Sequence, residues 1–505
     1  MKTPVTRRDL LWRLIASGGG SLLVPPDGRA EDASSWQSRF DASTAPWKSA
    51  FATPAADFPL TEVSVRGRFP DAVAGTLYRI GPAGHDLGGE RYHHWFDGDG
   101  MAHRFVIAGA AVHHQGRYVA TAKRVAEVKA GRRLTQGFGT VFKGRPEPGS
   151  PDSMNAANTS LLSVGGDLLA LWEGGSATRL DPLTLETRGL KTWRADLAGA
   201  PFSAHPRVEA DGTIWNFGVD AHRGMLLLYE IGPGGVLRRA EALSISDMPM
   251  VHDFAVTAGH LVFLLPPLVY DGRRRSAGAS MLDAYVWRPE LGMRALVLDK
   301  KDCRRQQMFH LPPGFLFHLG NAWEQETTSG AVIHLDYARA CDASSVLEDT
   351  REVMRAQLSG RAGPSLTVVN LHLRSGKASQ VDLGIEAEFP RIDPRRTGLR
   401  HRQVIHATKT HGGLPMWNGV ACTNVETGAT QGFSYGPHVI VEEHVWVPGG
   451  RDTGWVIGTI LDHAQNKTVL SCFAADALAD GPVAQATLPY ALPLGLHGMF
   501  VPAQG

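Results

Sequence analysis

The stretch Phe317-His318-Leu319-Gly320-Asn321-Ala322-Trp323-Glu324 decides which fold this sequence predicts. It follows a Pro-Pro-Gly turn at 312–314 and a short apolar run, so we expect a buried strand that leads into a loop. A neutral imidazole at such a strand end is a good ligand for a borderline metal ion. A single histidine in this setting is nevertheless more often a hydrogen-bonded core residue. The other histidines of the chain must therefore decide between the two interpretations.

The composition is that of a large globular protein. The chain has 505 residues, of which 43% are hydrophobic and 20% are charged, and its formal net charge is +1. This near-neutral charge argues against a nucleic-acid-binding protein, which usually carries a basic excess. The 57 glycines and 31 prolines indicate many turns and therefore many short strands. The four cysteines are far apart and form no CxxC pair, so neither a zinc knuckle nor a disulfide scaffold is indicated.

The first 30 residues predict an export signal. The pair Arg7-Arg8 precedes a weakly hydrophobic, glycine-rich stretch at 14–24, and Gly28-Arg29-Ala30 fits a signal-peptidase site. A short amphipathic or disordered tail is the alternative, and Arg13, directly before the apolar stretch, favours it. We expect residues 1–30 to be a twin-arginine signal peptide. The mature protein would then be periplasmic, with a cytoplasmic location as the alternative.

Short apolar runs broken by Gly, Pro, Asp and Asn fill the chain from about residue 55 onward, which is typical of strands and turns. With no linker that would divide the chain, residues 31–505 are expected to form a single all-β domain, either a sandwich array or a propeller. The clearest helix is predicted at Ser344–Leu358, where a serine starts the segment and apolar residues recur at roughly helical spacing. The clearest strands are predicted at Leu168–Trp172, Thr213–Phe217, Leu261–Leu265 and Gly454–Gly458.

Four of the 21 histidines are distinguished by their sequence context and their wide spacing. They are His205 in Phe-Ser-Ala-His-Pro, His252 in Met-Val-His-Asp-Phe, His318 in the stretch quoted above, and His497 in Leu-Gly-Leu-His-Gly. Their intervals of 47, 66 and 179 residues are far too wide for a local motif such as HExxH. Four ligands from four distant strands require strands that converge on an axis, which a propeller provides.

These contexts, with Leu77–Ala83 and Trp95–Met101, resemble the signatures of the carotenoid cleavage oxygenases, a superfamily that also contains lignostilbene dioxygenases and a retinoid isomerase. The resemblance runs from about residue 55 to the C-terminus. It implies a seven-bladed β-propeller with an axial metal site and a dome of loops and short helices over one face. Ile80 replaces the asparagine that is more usual there, with an effect expected only on local turn bonding. The implied ligands of one ferrous ion per subunit are His205, His252, His318 and His497.

Metal-bound histidines need their second ring nitrogen held, commonly by a carboxylate. For the last pair, Glu442 and Glu443 are adjacent, and the sequence leaves the choice between them open. For Glu173, a salt bridge to an arginine is the structural alternative, because a carboxylate in an apolar strand is costly unless it is paired. The partners implied by the resemblance are Glu173 for His252, Glu388 for His318 and Glu443 for His497.

Two further residues are suggested as substrate contacts. In the lignostilbene-cleaving branch a lysine contacts a phenolic hydroxyl of the substrate, and the counterparts here are Lys123 and Tyr92. A solvated basic strand end is the alternative interpretation of Lys123.

Several more aspartates and histidines are expected to have a structural role. The segment Asp97–Gly100 is predicted to be a hairpin turn, because Asp-Gly pairs favour such turns. An EF-hand is excluded, since Met101 and Ala108 stand where oxygen ligands are needed. The histidines expected to be surface or structural residues are His93, His94, His113, His114, His406 and His411.

The resemblance implies a non-haem Fe(II) dioxygenase that cleaves a C=C double bond with O2 as co-substrate to give two carbonyl products. A carotenoid or apocarotenoid is the first choice of substrate, and a phenolic stilbene cleaved at its central double bond is the alternative. A retinoid-type isomerase or a non-catalytic propeller would fit these residues less well. No side chain beyond the metal centre is expected to be catalytic. The expected partner is an apolar or aromatic alkene, and Asp271–Arg275 is either a basic membrane-facing collar or a solvated loop.

Overall fold

The computed structural model describes residues 33–450 and 453–503, which form an all-β, propeller-like fold. The predicted signal peptide, residues 1–30, lies outside the described residues. Within the described ranges, no helix combines the length and the apolar character that a membrane span requires.

Short antiparallel strands make up most of the described chain. The first half contains β1 (Phe58–Gly67), β2 (Gly75–Gly84), β3 (Asp86–Leu87), β4 (Glu90–Arg91), β5 (Asp99–Ala108), β6 (Ala111–Tyr118), β7 (Ser160–Val164), β8 (Asp167–Leu171), β9 (Thr178–Leu180), β10 (Thr187–Leu190), β11 (Arg207–Val208), β12 (Ile214–Asp220), β13 (Met225–Ile231), β14 (Leu237–Ser244), β15 (Ala255–Val256) and β16 (His260–Leu265). The second half contains β17 (Leu268–Tyr270), β18 (Tyr285–Trp287), β19 (Met293–Asp299), β20 (Gln306–Leu311), β21 (Leu319–Thr327), β22 (Gly330–Arg339), β23 (Ser365–His372), β24 (Lys377–Glu386), β25 (Glu388–Arg391), β26 (Gln403–Thr408), β27 (Gly419–Asn424), β28 (Thr430–Ser434), β29 (Val439–Pro448), β30 (Gly454–Asp462), β31 (Lys467–Ala474), β32 (Ala484–Thr487) and β33 (His497–Pro502). The four strands predicted from apolar runs are confirmed as β8, β12, β16 and β30.

The α-helices of the described residues are short: α1 (Ala33–Ala42), α2 (Ala122–Ala130), α3 (Gly272–Ser276) and α4 (Thr350–Glu352). The helix predicted at Ser344–Leu358 is helical but irregular, with a π turn at Ser345–Asp349, then α4, then a 3-10 turn at Val353–Arg355. Thr350 Oγ1 donates to the Val346 carbonyl at 2.9 Å, and such back-bonding by a threonine bends helices.

Five separate four-stranded blades and one larger sheet build the fold. The blades are β7–β10, β11–β14, β15-β16-β19-β20, β21–β24 and β25–β28. The larger sheet has nine strands in the order β29-β30-β31-β32-β1-β6-β5-β2-β33. It is continuous because β1 pairs on one edge with β32 (Ser64 with Thr487) and on the other with β6 (Val63 with Val112). The resemblance implied a seven-bladed propeller, whereas the described residues form five four-stranded blades beside the nine-stranded sheet, because the sequence could not show that β1 joins two sets of strands.

The hydrophobic core lies between neighbouring sheets. For example, the buried residues Phe309, Ile333 and Val369 make the contact between the β15-β16-β19-β20 blade and the β21–β24 blade. Strand β2 is buried along almost its whole length, whereas β6 alternates buried and half-buried positions. This difference indicates that β2 packs on both faces and that β6 packs mainly on one.

Buried histidines give this fold a pH dependence. His406 on β26 is buried, and its Nε2 lies 2.9 Å from Thr423 Oγ1. Burial lowers the pKa of His406 to about 4. The imidazole therefore stays neutral in the folded protein at pH values where the unfolded chain already binds a proton, so stability falls as the pH drops from about 6.5 toward 4.

In the His406→Gln variant, the free energy of unfolding is expected to fall by about 3 kcal/mol less than in the wild type as the pH drops from about 6.5 to 4. Each pKa unit corresponds to about 1.4 kcal/mol. Urea unfolding at a series of pH values between about 6.5 and 4 measures the slope. The exposed His411→Gln is the matched control and should leave the slope unchanged. Equal slopes in wild type and His406→Gln would contradict this assignment.

Candidate metal centre

The four predicted histidines meet at one point, each beside the start of a strand. His205 and His252 lie shortly before β11 and β15, His318 lies directly before β21, and His497 opens β33. The sequence predicted a strand that ends near His318, but β21 begins after it. The register of β21 against β22 shifts between Leu319 and Ala322, so this irregular strand start places the imidazole at the meeting point.

The Nε2 atoms of the four rings point toward one another. His205 Nε2 lies 3.0 Å from His252 Nε2, and His318 Nε2 lies 3.1 Å from His497 Nε2. One possible ligand atom from each of the four residues lies within 4.8 Å of all the others. Two ligand atoms at right angles around an ion, each about 2.1 Å from it, are about 3.0 Å apart. The spacing therefore fits a single transition-metal ion.

Carboxylates hold the other ring nitrogen of three histidines. Glu388 Oε2 lies 3.0 Å from the Nδ1 of His318, and Glu443 Oε1 lies 2.9 Å from that of His497. Glu173 is in contact with Nδ1 of His252. Because an ionised carboxylate only accepts hydrogen bonds, each Nδ1 carries the proton and each Nε2 presents a lone pair. These three lone pairs, together with the Nε2 of His205, form a set of four nitrogen atoms that could coordinate one cation.

The structure also distinguishes between the two adjacent glutamates. Glu443 lies beside His497, whereas Glu442 accepts from the backbone N–H of Gly495 and from the hydroxyl of Thr459 and faces Arg79 at 3.5 Å. The alternation of side chains along β29 sends the two carboxylates in different directions.

Electrostatics at the site favour a bound cation. Burial lowers the pKa of His205 well below its usual value, and the neighbouring histidines add to this effect. Burial also lowers the pKa of His497, to about 4, although Glu443 opposes it. For Glu443, burial would raise the pKa, but Arg391 and His497 together hold it well below its usual range. For His252, burial would lower the pKa, but Glu173 raises it above its usual value, so the carboxylates and the imidazoles of the centre are electrostatically coupled.

Arg391 is a functional residue that the sequence analysis did not single out. Its Nε and Nη2 donate to the two carboxylate oxygens of Glu443 at 2.8 and 3.0 Å, and Nη2 also donates to the Gly498 carbonyl at 2.8 Å. This bidentate pairing orients the carboxylate toward His497. Its position three residues after Glu388 was the only indication available in the sequence.

A cavity of about 950 Å³ leads to the histidines. It is wide enough for an extended organic molecule. Tyr285 is the one tyrosine among its described lining residues and is buried. Loop residues from 148–154 and from 341–364 form part of the wall. Arg275, one of the lining residues, pairs with Glu147, whereas Arg273 and Arg274 on α3 are exposed. Aromatic lining residues include Phe96, Phe138, Trp172, Phe317, Phe389 and Trp417.

The two residues suggested as substrate contacts lie elsewhere. Lys123 is on α2, where its Nζ donates to Asp99 at 2.7 Å and to Glu127 at 3.1 Å. Tyr92 is fully buried beneath the guanidinium of Arg133, which lies 3.9 Å from the ring centroid. Neither Lys123 nor Tyr92 is among the described residues that line the cavity. The geometry gives both residues a structural role.

The segment Asp97–Gly100 is also not the hairpin turn that was predicted. Asp97 ends a 3-10 turn and accepts from the Gly139 N–H and the Thr140 hydroxyl, whereas Asp99 begins β5 and pairs with Lys123. Burial would raise the pKa of Asp99, but Lys123 and Arg133 lower it to about 2. An Asp-Gly pattern fits both a hairpin turn and a pair of buried, hydrogen-bonded aspartates such as Asp97 and Asp99. Only the tertiary contacts distinguish the two.

Replacing Lys123 with methionine is expected to lower the free energy of unfolding by about 3 to 5 kcal/mol, because it leaves Asp99 buried with fewer counter-charges. Urea unfolding measures the change. The exposed Lys129→Met on the same helix is the control and should change stability by less than about 0.5 kcal/mol. A stable Lys123→Met protein with weakened substrate affinity would contradict the structural role.

Comparisons with known proteins agree with this architecture. Residues 51–502 match the model of a family described as retinal pigment epithelial membrane protein, RPE65. An apocarotenoid-15,15'-oxygenase from Synechocystis sp. is 30% identical over 464 residues, covering 86% of this chain and 91% of the relative. A lignostilbene-alpha,beta-dioxygenase isozyme III from Sphingomonas paucimobilis is 28% identical over 474 residues, covering 88% and 94%. The structure of a cobalt-substituted Synechocystis apocarotenoid oxygenase superposes with a TM-score of 0.82 at 26% identity, covering 91% of this chain and 99% of that one.

Proposed function

Since the chain belongs to the RPE65 family, which includes the carotenoid cleavage oxygenases, we propose that it is a ferrous-iron dioxygenase that cleaves a C=C double bond with O2 to give two carbonyl products. The observation that carries this proposal is the convergence of four imidazole Nε2 atoms at the end of an aromatic cavity. A propeller that only binds ligands would not need four histidines with their Nε2 atoms close together.

The proposed ligands are His205, His252, His318 and His497, with Glu173, Glu388 and Glu443 holding the rings of the last three. Ferrous iron, when bound, supplies the activation of O2. Four neutral imidazoles leave the ion its full charge, in contrast to sites that include a carboxylate ligand. The chain's own part is to keep Nδ1 protonated, to exclude water with apolar walls, and to place a planar alkene beside the centre. We assign no side chain an obligatory proton transfer.

Phe317 and Phe389 support a conjugated substrate. Both line the cavity, and their ring centroids lie 5.1 Å from His252 and 5.2 Å from His318, respectively. A flat, apolar molecule packs favourably against such rings. A carotenoid or apocarotenoid is our first choice, supported by the 30% identical Synechocystis relative. A phenolic stilbene is the alternative, supported by the Sphingomonas relative.

The proposal is tested by O2 uptake of the iron-loaded protein with an apocarotenal and a hydroxystilbene offered in parallel. We expect uptake and two carbonyl products from one of them, and a loss of at least about 100-fold in His318→Ala, because the centre loses a ligand. The metal content of both proteins is measured alongside. Iron-loaded protein that consumes no O2 but converts a retinoid would favour the isomerase, and protein that never binds iron would overturn the proposal.

Substitution of Tyr285 tests, in the same assay, whether the protein recognises an oxygen atom of its substrate. Tyr285 is the one tyrosine among the described residues that line the cavity, and we propose that its hydroxyl bonds to an oxygen atom of the substrate. Tyr285→Phe is expected to raise KM about tenfold for an oxygen-bearing substrate and to leave the corresponding hydrocarbon unaffected. Tyr270→Phe, whose ring packs against Tyr285 but is not among the described lining residues, is the matched control.

We also propose that the nine-stranded sheet acts as two blades that share β1, which would give the propeller seven. Four strands, β29–β32, lie on one side of β1 and four, β6, β5, β2 and β33, lie on the other. Residues 31–505 would then be one domain, with loops and short helices as a dome over the cavity. Contact of Asp271–Arg275 with a membrane stays a prediction, with Arg273 and Arg274 available on the surface.

For the location, we propose export of the folded protein to the periplasm by the twin-arginine route, supported by the residue pattern of 1–30. Changing Arg7 and Arg8 together to lysine is expected to abolish the periplasmic fraction, because that route reads the arginine pair. Cell fractionation with immunoblotting measures it. An unchanged distribution of the variant would contradict this route.

A further inference from the structure

One of the four histidines lacks the support that the other three have. Among the described residues, carboxylates contact the rings of His252, His318 and His497, and none contacts that of His205. The backbone N–H of His205 donates to Ser203 Oγ at 3.2 Å. This bond restrains the main chain between residues 203 and 205 but not the residues after His205. Some other interaction must therefore hold the His205 segment against the remaining ligands.

Arg207, two residues further on, makes that connection. Its Nη2 donates to both carboxylate oxygens of Asp253, at 2.8 and 2.7 Å. The same guanidinium donates to three backbone carbonyls: Nε to Phe254 at 2.7 Å, Nη2 to Leu319 at 2.9 Å and Nη1 to Gly320 at 3.2 Å. One side chain thus joins three segments that are far apart in the sequence.

Asp253 completes the connection from the other side. Its Oδ1 accepts from the Phe254 N–H at 2.7 Å, and its Oδ2 accepts from the Leu319 N–H at 2.8 Å. The carboxylate is only 2% exposed, against 18% for the Arg207 side chain. Asp253 directly follows His252, and Leu319 directly follows His318. The pair therefore fixes the backbone within two residues of three ligands.

We propose that the Arg207–Asp253 pair is the positioning unit of the metal centre, which sets the spacing of His205, His252 and His318 and gives His205 the restraint that carboxylates give the others. The planar guanidinium makes five hydrogen bonds from its three nitrogens, so it fixes distance and orientation together. As a neutral pair it adds no net charge to the site. Neither residue touches the reacting atoms, and this inference rests on the proposed metal site.

The test uses Co(II) binding to the metal-free full-length protein, followed by visible absorption, so that it does not depend on turnover. Arg207→Met is nearly isosteric along the stem but removes all five bonds. We expect its dissociation constant for Co(II) to rise 10- to 100-fold and its Co(II) spectrum to change, as for other residues that orient metal ligands. Arg207→Lys keeps the charge without the planar fork and should show an intermediate loss.

The matched control is Arg179→Met. Arg179 also makes a two-pronged pair, with Asp167 at 3.0 and 3.1 Å, but on the β7–β10 blade and not among the described lining residues of the cavity. Its substitution should leave the Co(II) affinity and spectrum unchanged. A purely structural role of Arg207 would lower the unfolding midpoint of the metal-free protein but leave the Co(II) spectrum as in the wild type.

The outcomes separate the two proposals. A wild-type protein that binds no Co(II) overturns the metal site itself. A wild-type protein that binds Co(II), with Arg207→Met equal to it in affinity and spectrum, overturns only the positioning role. If Arg207→Met does not fold, Arg207→Lys decides: wild-type affinity and spectrum in that variant overturn the role, and an intermediate loss supports it.

Discussion

The convergence of four imidazoles on one point is the constraint on which the rest of the structure depends. The Nε2 atoms of His205 and His252 are 3.0 Å apart, and those of His318 and His497 are 3.1 Å apart. Such an arrangement suits a single bound cation. It also requires four segments from distant parts of the chain to be held rigidly. Antiparallel sheets around a common centre meet this requirement, and the pairing of β33 with β2 brings the C-terminal ligand to the same point as the others.

The buried charges around the centre follow the same logic. Each carboxylate that holds an imidazole must stay ionised in an apolar setting, which is costly unless it is paired. Arg391 fulfils this need for Glu443. Arg207 and Asp253 form a second pair close to the ligands, in which the carboxylate is buried and the guanidinium is partly exposed. These arginines bind backbone carbonyls as well as carboxylates, so electrostatic balance and the positioning of ligand segments are achieved by the same side chains.

The cavity shows how the fold connects this centre to a substrate. Aromatic rings such as Phe317 and Phe389 pack directly against the ligand histidines, so the centre is reached through an apolar space. An irregular helical segment, Ser345–Arg355, supplies part of the wall. Turns of the π type are frequent at functional sites because they shift side chains out of the regular helical positions.

Apolar runs were sufficient to predict the all-β character, and the resemblance of short residue contexts to a known family indicated the four histidines and the glutamates beside them, with the choice between Glu442 and Glu443 left to the structure. The remaining features depended on tertiary contacts. Strand pairing is non-local, so the joining of two sets of strands by β1 could not be read from spacing. Side-chain direction is equally non-local: Lys123 and Tyr92 turn into a buried ion-pair cluster rather than into the cavity. Arg207 and Asp253 were adjacent to ligands in sequence, but only folding brought them within 2.8 Å of each other.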